Sequence, residues 1–218
     1  MNHKKIFANF LAEQFPQRKA DLMLSFGRYL DLLFELNRQV NLVSRRMAKD
    51  KYWLYHFLDS LLALKCMDLT DGTALDFGSG GGLPGLPLKL VCPDLQMTLL
   101  DSVGKKVKCL QKLVSDLAIC DCCCIWVRLE EFAESHRGKG FDYIFCRSVK
   151  IEPEFLKPLA KLLNKNGLAV FYKAQQWDDV CSLPDIQVFD VSRPDLGQRK
   201  IILAGRQSLL TYTKDRKL

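Results

Sequence analysis

No run of 18 apolar residues occurs anywhere in this chain, and histidine, tryptophan and proline are scarce at three, three and eight residues. The first absence excludes a transmembrane helix. The opening Met1-Asn2-His3-Lys4-Lys5 also lacks the apolar segment of a secretory leader, so a cytoplasmic protein is expected. The histidines stand at positions 3, 56 and 136, without zinc-ligand spacing to the Cys120-Asp121-Cys122-Cys123-Cys124 cluster. No metal is therefore expected, and the cluster reads as a small-residue approach to a buried strand. Nine cysteines, an odd number, read as free thiols. An apolar content of 48% over 218 residues supports a globular core. A net charge of +7, spread along the chain rather than gathered in a tail, is compatible with a polyanionic partner.

The stretch Thr73-Ala74-Leu75-Asp76-Phe77-Gly78-Ser79-Gly80-Gly81-Gly82-Leu83-Pro84-Gly85-Leu86-Pro87 organises the rest. It predicts a buried strand closed by the carboxylate of Asp76, a glycine turn, and a helix with Pro84 in its first turn. That is the first half of a nucleotide-type cofactor site at the carboxyl end of a parallel strand. Gly80-x-Gly82-x-x-Gly85 fits a dinucleotide fingerprint. Gly78-x-Gly80-x-Gly82 fits the turn of methyltransferases that use S-adenosylmethionine. Asp76 favours the second, because it would repel a diphosphate and attract a sulfonium or an ammonium group.

Residues 1–70 predict a helical N-terminal cap. Leu22, Phe26, Leu30, Leu33, Leu36 and Val40 make one stripe, and Trp53, Phe57, Leu61 and Leu64 make another. Residues 71–218 predict an α/β domain forming one compact unit with the cap. Its strands are expected at 73–77, 96–100, 122–127, 143–147, 168–173, 186–191 and 200–204, and its helices at 83–91, 104–117 and 153–163. The result is a seven-stranded, Rossmann-like sheet, mostly parallel, closed by an antiparallel hairpin at its edge.

Strand tips supply the candidate site residues. Asp101, with Ser102, follows the glycine turn by about twenty residues and suits ribose hydroxyls, or else caps a helix. Lys105 and Lys106 fall in the first turn of a helix, where the macrodipole disfavours cations, so a phosphate contact competes with a solvated face. Backbone groups of Leu129 and Glu130 suit a nucleobase. Arg147 and Lys173 end two later strands at the same edge and point to an anionic substrate. His56 and Asp59 share one helix face, either toward substrate or as a surface pair.

Together these residues resemble one family, the bacterial 16S rRNA (guanine-N7) methyltransferases, also called glucose-inhibited division protein B. The resemblance spans roughly residues 30–204. It rests on Asn41-Leu42, His56-Phe57-Leu58-Asp59-Ser60, Asp76 through Leu88, Leu99-Leu100-Asp101-Ser102-Val103-Gly104-Lys105-Lys106, Arg128-Leu129-Glu130-Glu131-Phe132, Phe141-Asp142 with Arg147, and Phe171-Tyr172-Lys173. It implies an S-adenosylmethionine-dependent enzyme acting on N7 of one guanine in 16S rRNA of the small ribosomal subunit, with no membrane partner and as a monomer. Gly78, Leu83, Leu129, Glu130 and Arg147 would contact the cofactor, beside Asp76, Gly80 and Gly82 of the turn, with Asp101 and Ser102 near the ribose. His56, Asp59, Lys105, Lys106, Arg128, Lys173 and Arg199 would face RNA. Tyr55, Ser148-Val149-Lys150 and the segment 174–199 depart from the family pattern.

Guanine N7 offers a lone pair and carries no proton, so the chemistry needs alignment rather than a general base. Arg147 and Lys173 are accordingly expected to position substrate. The competing readings are a methyltransferase for a small molecule or protein, a dinucleotide-dependent oxidoreductase, and a non-enzymatic RNA-binding module.

Overall fold

The computed structural model describes residues 2–215, the last three as backbone. From Thr73 onward the apolar runs become β1 (Thr73–Phe77), β2 (Gln96–Asp101), β3 (Cys122–Trp126), β4 (Phe141–Arg147), β5 (Leu163–Lys173), β6 (Gln187–Asp190) and β7 (Lys200–Gly205) of one sheet. Its order is β3-β2-β1-β4-β5-β7-β6. The first five strands are parallel, while β7 pairs antiparallel with both β5 and β6. The strands read as continuous apolar runs because both faces of the sheet are covered. Alternate residues part to opposite sides: Ala74, Leu99, Phe145, Val170 and Ile201 join one core, and Leu75, Leu100, Ile144, Ala169 and Ile202 the other.

The helices of this half are α4 (Gly85–Val91), α5 (Gly104–Asp116), α6 (Leu129–Ser135), α7 (Pro153–Leu162) and α8 (Arg206–Asp215). The expected closing hairpin forms as an antiparallel β6–β7 pair at the sheet edge, with β7 between β5 and β6. Two expectations need correction. The helix expected from residue 83 starts at Gly85, after a cis Leu83–Pro84 peptide. The cysteine-rich β3 is an edge strand rather than a buried one, with Cys120 and Cys123 exposed. All nine cysteines are free.

The N-terminal cap comprises α1 (His3–Gln14), α2 (Lys19–Gln39) and a chain of short turns over 49–65 that includes a π-helical segment at Trp53–Leu58 and one α-turn, α3 (Asp59–Leu61). The stripe of α2 is buried through Leu22, Phe26, Leu30 and Leu33. The expected one-sided stripe of 53–64 gives way to burial all round, including His56, Asp59 and Ser60. One side of that segment carries aromatic contacts to α1 and α2: Phe57 stacks on Tyr29 at 5.1 Å and lies 6.1 Å from Phe7. The other side meets the carboxyl ends of β4 and β5, and there its polar groups find partners.

Candidate active site at the carboxyl ends of the strands

The glycine turn sits at the switch point of the sheet, where β1 has β2 on one side and β4 on the other. Gly78 and Ser79 donate N–H groups to Leu100 O, and Ser79 Oγ donates to Asp76 O at 2.8 Å. Gly78 adopts φ +74°, and a Cβ there would stand 2.6 Å from Val149 Cγ2. At Gly82 φ is +87° and a Cβ would stand 2.4 Å from Leu86 Cδ1. A side chain at either position would meet both backbone strain and a clash. The cap lies directly on this turn. Tyr29 Oη donates to Gly81 O at 2.6 Å, and Asn37 Oδ1 accepts the N–H groups of Leu42 and Val43, whose loop covers Gly80 and Gly81. Neither Tyr29 nor Asn37 was marked by the sequence.

A cavity of about 300 Å³ opens beside Gly78. Phe77, Leu100, Val127, Leu129 and Phe155 supply its apolar walls, and Asp101, Ser102, Lys106, Arg128 and Glu130 its polar ones. Asp101 Oδ2 accepts the N–H of Gly80 at 3.0 Å and Oδ1 that of Val103 at 2.9 Å, so the carboxylate is held by two turns while each oxygen keeps a lone pair. Apolar walls, a fixed acid and an approach free of Cβ atoms suit a nucleoside-bearing ligand of the expected kind. Leu83 is buried beneath the turn, away from this lining.

Asp76 lies deeper still. It is fully buried, with Oδ2 accepting the N–H of Gly85 at 2.9 Å and Oδ1 without a partner. Burial pushes its carboxyl up to about 7, against the lowering effect of the Gly85 hydrogen bond. The folded state therefore keeps a proton that the unfolded chain releases near pH 4. The stabilisation is fully present below about pH 4 and is lost as pH rises to about 7. In Asp76→Asn, which resembles the protonated acid, this loss is expected to vanish. Urea midpoints at pH 5 and pH 8 for both proteins test this, and parallel profiles would refute it.

A second cavity, of about 440 Å³, adjoins the first. Ser148 and Val149 stand in both linings, and Ser148 adopts φ +59°, an unusual value for a non-glycine residue. The second lining carries five cations, Arg147, Lys150, Lys173, Arg199 and Lys200, against Asp59, Asp178 and Asp179. Asp59 sits between two guanidinium groups: Arg147 Nη1 donates to Oδ2 at 3.0 Å and Arg199 Nε to Oδ1 at 2.6 Å. Arg147 Nη1 also donates to His56 O and Ser60 Oγ, each at 3.1 Å. His56 Nδ1 stands 3.1 Å from Arg147 Nη2, which can only donate, and 3.1 Å from Tyr55 O, which can only accept, while Nε2 is buried without a partner. Burial, with the Arg147 charge, holds His56 down to about 3, so the ring is neutral at physiological pH. Lys173 is paired with Asp179, whose Oδ2 also accepts the N–H of Ile151 at 2.8 Å. Asp179 went unmarked in the sequence, and Ser60 and Tyr172, whose Oη donates to Ser60 O at 2.8 Å, stood only within matching runs with no role of their own.

The structure thus divides the expected RNA-facing residues. His56, Asp59, Lys173 and Arg199 gather at the second cavity, with His56 behind its wall, and Arg147, expected at the cofactor, lines this cavity rather than the first. Lys106 and Arg128 line the first, and the exposed Lys105 lies outside both linings. Among the described residues no group of three or more His, Cys, Asp or Glu is placed to hold a metal ion.

Comparison with known proteins places this geometry. A family model described as rRNA small subunit methyltransferase G matches residues 23–189. The ribosomal RNA small subunit methyltransferase G of Desulforamulus reducens is 37% identical over 145 residues, which are 64% of this chain and 60% of that protein. Its counterpart in Lactococcus lactis subsp. lactis is 32% identical over 179 residues, 79% of this chain and 74% of that one. The chain therefore spans between three fifths and three quarters of these relatives. Among solved structures, a putative O-methyltransferase from Klebsiella pneumoniae superposes with a TM-score of 0.59 at 17% identity, covering 81% of this chain and 89% of that one, a likeness of fold alone. The family match runs from the second cap helix, through the glycine turn, the first cavity and most of the second, to β6, and on that extent the chain belongs to the rRNA small subunit methyltransferase G family.

Proposed function

We propose that this chain transfers a methyl group from S-adenosylmethionine to N7 of a guanine in the 16S rRNA of the small ribosomal subunit. The observation that carries the proposal is the pair of cavities meeting at Ser148 and Val149, one suited to a nucleoside and the other rimmed by cations, in a chain of this family. The bound cofactor supplies an electrophilic methyl carbon. Gly78 lets its body approach the turn, and Gly80 and Gly82 give the turn its backbone shape beneath the cap. Asp101 and Ser102 grip its ribose, and the backbone of Leu129 and Glu130 borders its base. Asp76 and Leu83 set the shape of the turn from beneath.

Guanine N7 attacks with its own lone pair, so the protein has to align rather than deprotonate. A His56 ring held neutral and enclosed accords with a site that uses no general base. Arg147 and Lys173 position the incoming guanine and its phosphates, and Asp59 and Asp179 keep those cations oriented until it arrives. Arg199, Lys105, Lys106 and Arg128 extend the cationic surface toward RNA. The cap and sheet act as one monomeric unit in the cytoplasm, and no helix among the described residues is long and apolar enough to cross a membrane.

The test is methyl transfer from labelled S-adenosylmethionine to small subunits lacking the modification, followed by mapping of the labelled base. Label at N7 of a single guanine is the expected result. Cofactor binding without label in RNA would move the substrate to another class, and absence of cofactor binding would overturn the proposal.

A further inference from the structure

Trp126 takes no part in either cavity. It ends β3 at the sheet edge and leaves 68% of its surface in solvent, with Val103 beside it 43% exposed. An exposed side chain ordinarily moves among rotamers, but this one is fixed at two points. Nε1 donates to Ser102 O at 3.1 Å. Its Cε2, Cδ2 and Cζ2 atoms stand 2.9, 3.1 and 3.1 Å from where a Cβ on Gly104 would be. Near-equal distances to three joined ring atoms mean that the indole lies face-on over Gly104. One face seals the first turn of α5, and the other is open.

The neighbouring Val127 lines the first cavity, whereas Trp126 lies outside it against Ser102 and Gly104. Lys105 and Lys106 follow Gly104 on α5, and Arg128 lies two residues beyond the ring. Among the described residues neither Lys105 nor Lys106 is paired with an acid, although the helix dipole disfavours both. A rigid aromatic plane packed on Gly104, with Lys105 and Lys106 next in the chain and Arg128 two residues past the indole, matches an unpaired nucleobase with its phosphates: the plane receives the base and the cations receive the backbone. A protein partner would call for a broader apolar patch than one indole and one valine.

We propose that the open face of Trp126 is a stacking platform for an unpaired base of the RNA substrate, a base other than the methylated guanine, with Lys105 and Arg128 on adjoining phosphates. The inference rests on the rRNA reading and adds a second contact to it, outside both cavities. Ring and gripping cations together fix where the loop lies before the target base enters.

Two measurements test it. In a fluorescence titration with a single-stranded oligoribonucleotide of mixed sequence, wild type is expected to be quenched, since Trp53 is buried and Trp126 is the most exposed indole. Trp126→Ala should weaken that binding on the order of tenfold, while Trp126→Phe should retain affinity but lose most of the quenching. In methyl transfer to small subunits, W126A should raise KM by a similar factor with kcat and cofactor affinity unchanged, and W126F should restore KM. Unchanged KM and oligonucleotide affinity in W126A would overturn the proposal. So would weakened cofactor binding, which would put the indole in the cofactor site, or a wild-type dimer that W126A dissolves, which would make the ring a self-contact. If wild type is quenched by RNA yet methylates none, the platform stands and the rRNA reading falls; with neither signal, both fall.

Discussion

Asp59→Ala is expected to cost about 3–5 kcal/mol of stability and to abolish methyl transfer. Asp59 holds Arg147 at 3.0 Å and Arg199 at 2.6 Å, with side-chain exposures of 12% for the acid, 9% for Arg147 and 22% for Arg199. Removing the acid leaves two guanidinium groups facing each other where water reaches them poorly. Arg147 keeps His56 O and Ser60 Oγ, which are dipoles rather than a charge, and the cost is that of a buried cation without its counterion. The more exposed Arg199 can turn to solvent, so most of the penalty falls on Arg147. Asp59→Asn, which keeps shape and loses charge, should fall between wild type and alanine. The double variant D59A/R147A should cost less than the two single changes added, with a coupling of about 0.5–3 kcal/mol. Denaturant unfolding of the four proteins gives the cycle, and labelled transfer gives the activity. A D59A protein within about 0.5 kcal/mol of wild type, the range of an ordinary surface change, would show that the cap does not depend on this pair.

The same cluster shows what could be read from the sequence. All seven strands were legible: β1, β2, β4, β5 and β7 because burial makes each a short apolar run, and β3 and β6 as apolar runs although they lie at the sheet edges. The glycine turn stood out because positive φ demands glycine at Gly78, Gly80 and Gly82. Arg147 and Lys173 were visible as cations at strand tips. What each touches was not visible, because it comes from far along the chain: Asp59 lies 88 residues from Arg147, and Tyr29 lies 52 from Gly81. Asp179 is six residues from Lys173 but in a segment without period or motif, so nothing marked it. The all-round burial of 53–63 escaped because a π-turned segment breaks the 3.6-residue period on which a stripe is recognised. The short α6, the terminal α8, and β6 displaced to the edge by β7 are settled by packing rather than by local pattern. Trp126 fell within the expected strand 122–127, and its exposure follows only from the edge position of β3.

Gly78→Ala is expected to keep the fold and lose most of the cofactor affinity, on the order of a hundredfold or about 3 kcal/mol. Two effects act at this position and can be separated. The first is backbone strain: alanine at φ +74° costs about 1–2 kcal/mol. The second is steric, since the new Cβ would lie 2.6 Å from Val149 Cγ2, and Val149 lines both cavities. Val149 is partly exposed, so it can yield, and the space it yields into is where the cofactor body and the incoming base must meet. Gly197 supplies the control. Its φ of +76° is nearly the same, but a Cβ there meets nothing within 4 Å, and Gly197 lines neither cavity. Gly197→Ala should therefore show the backbone cost alone, with cofactor binding intact. The difference between the two variants in titration calorimetry with S-adenosylmethionine isolates the contribution of the open approach to the turn. If both lose stability equally and both bind cofactor like wild type, Gly78 serves the chain's own turn geometry, and the cofactor must be held on the Asp101 and Leu129 side of the cavity instead.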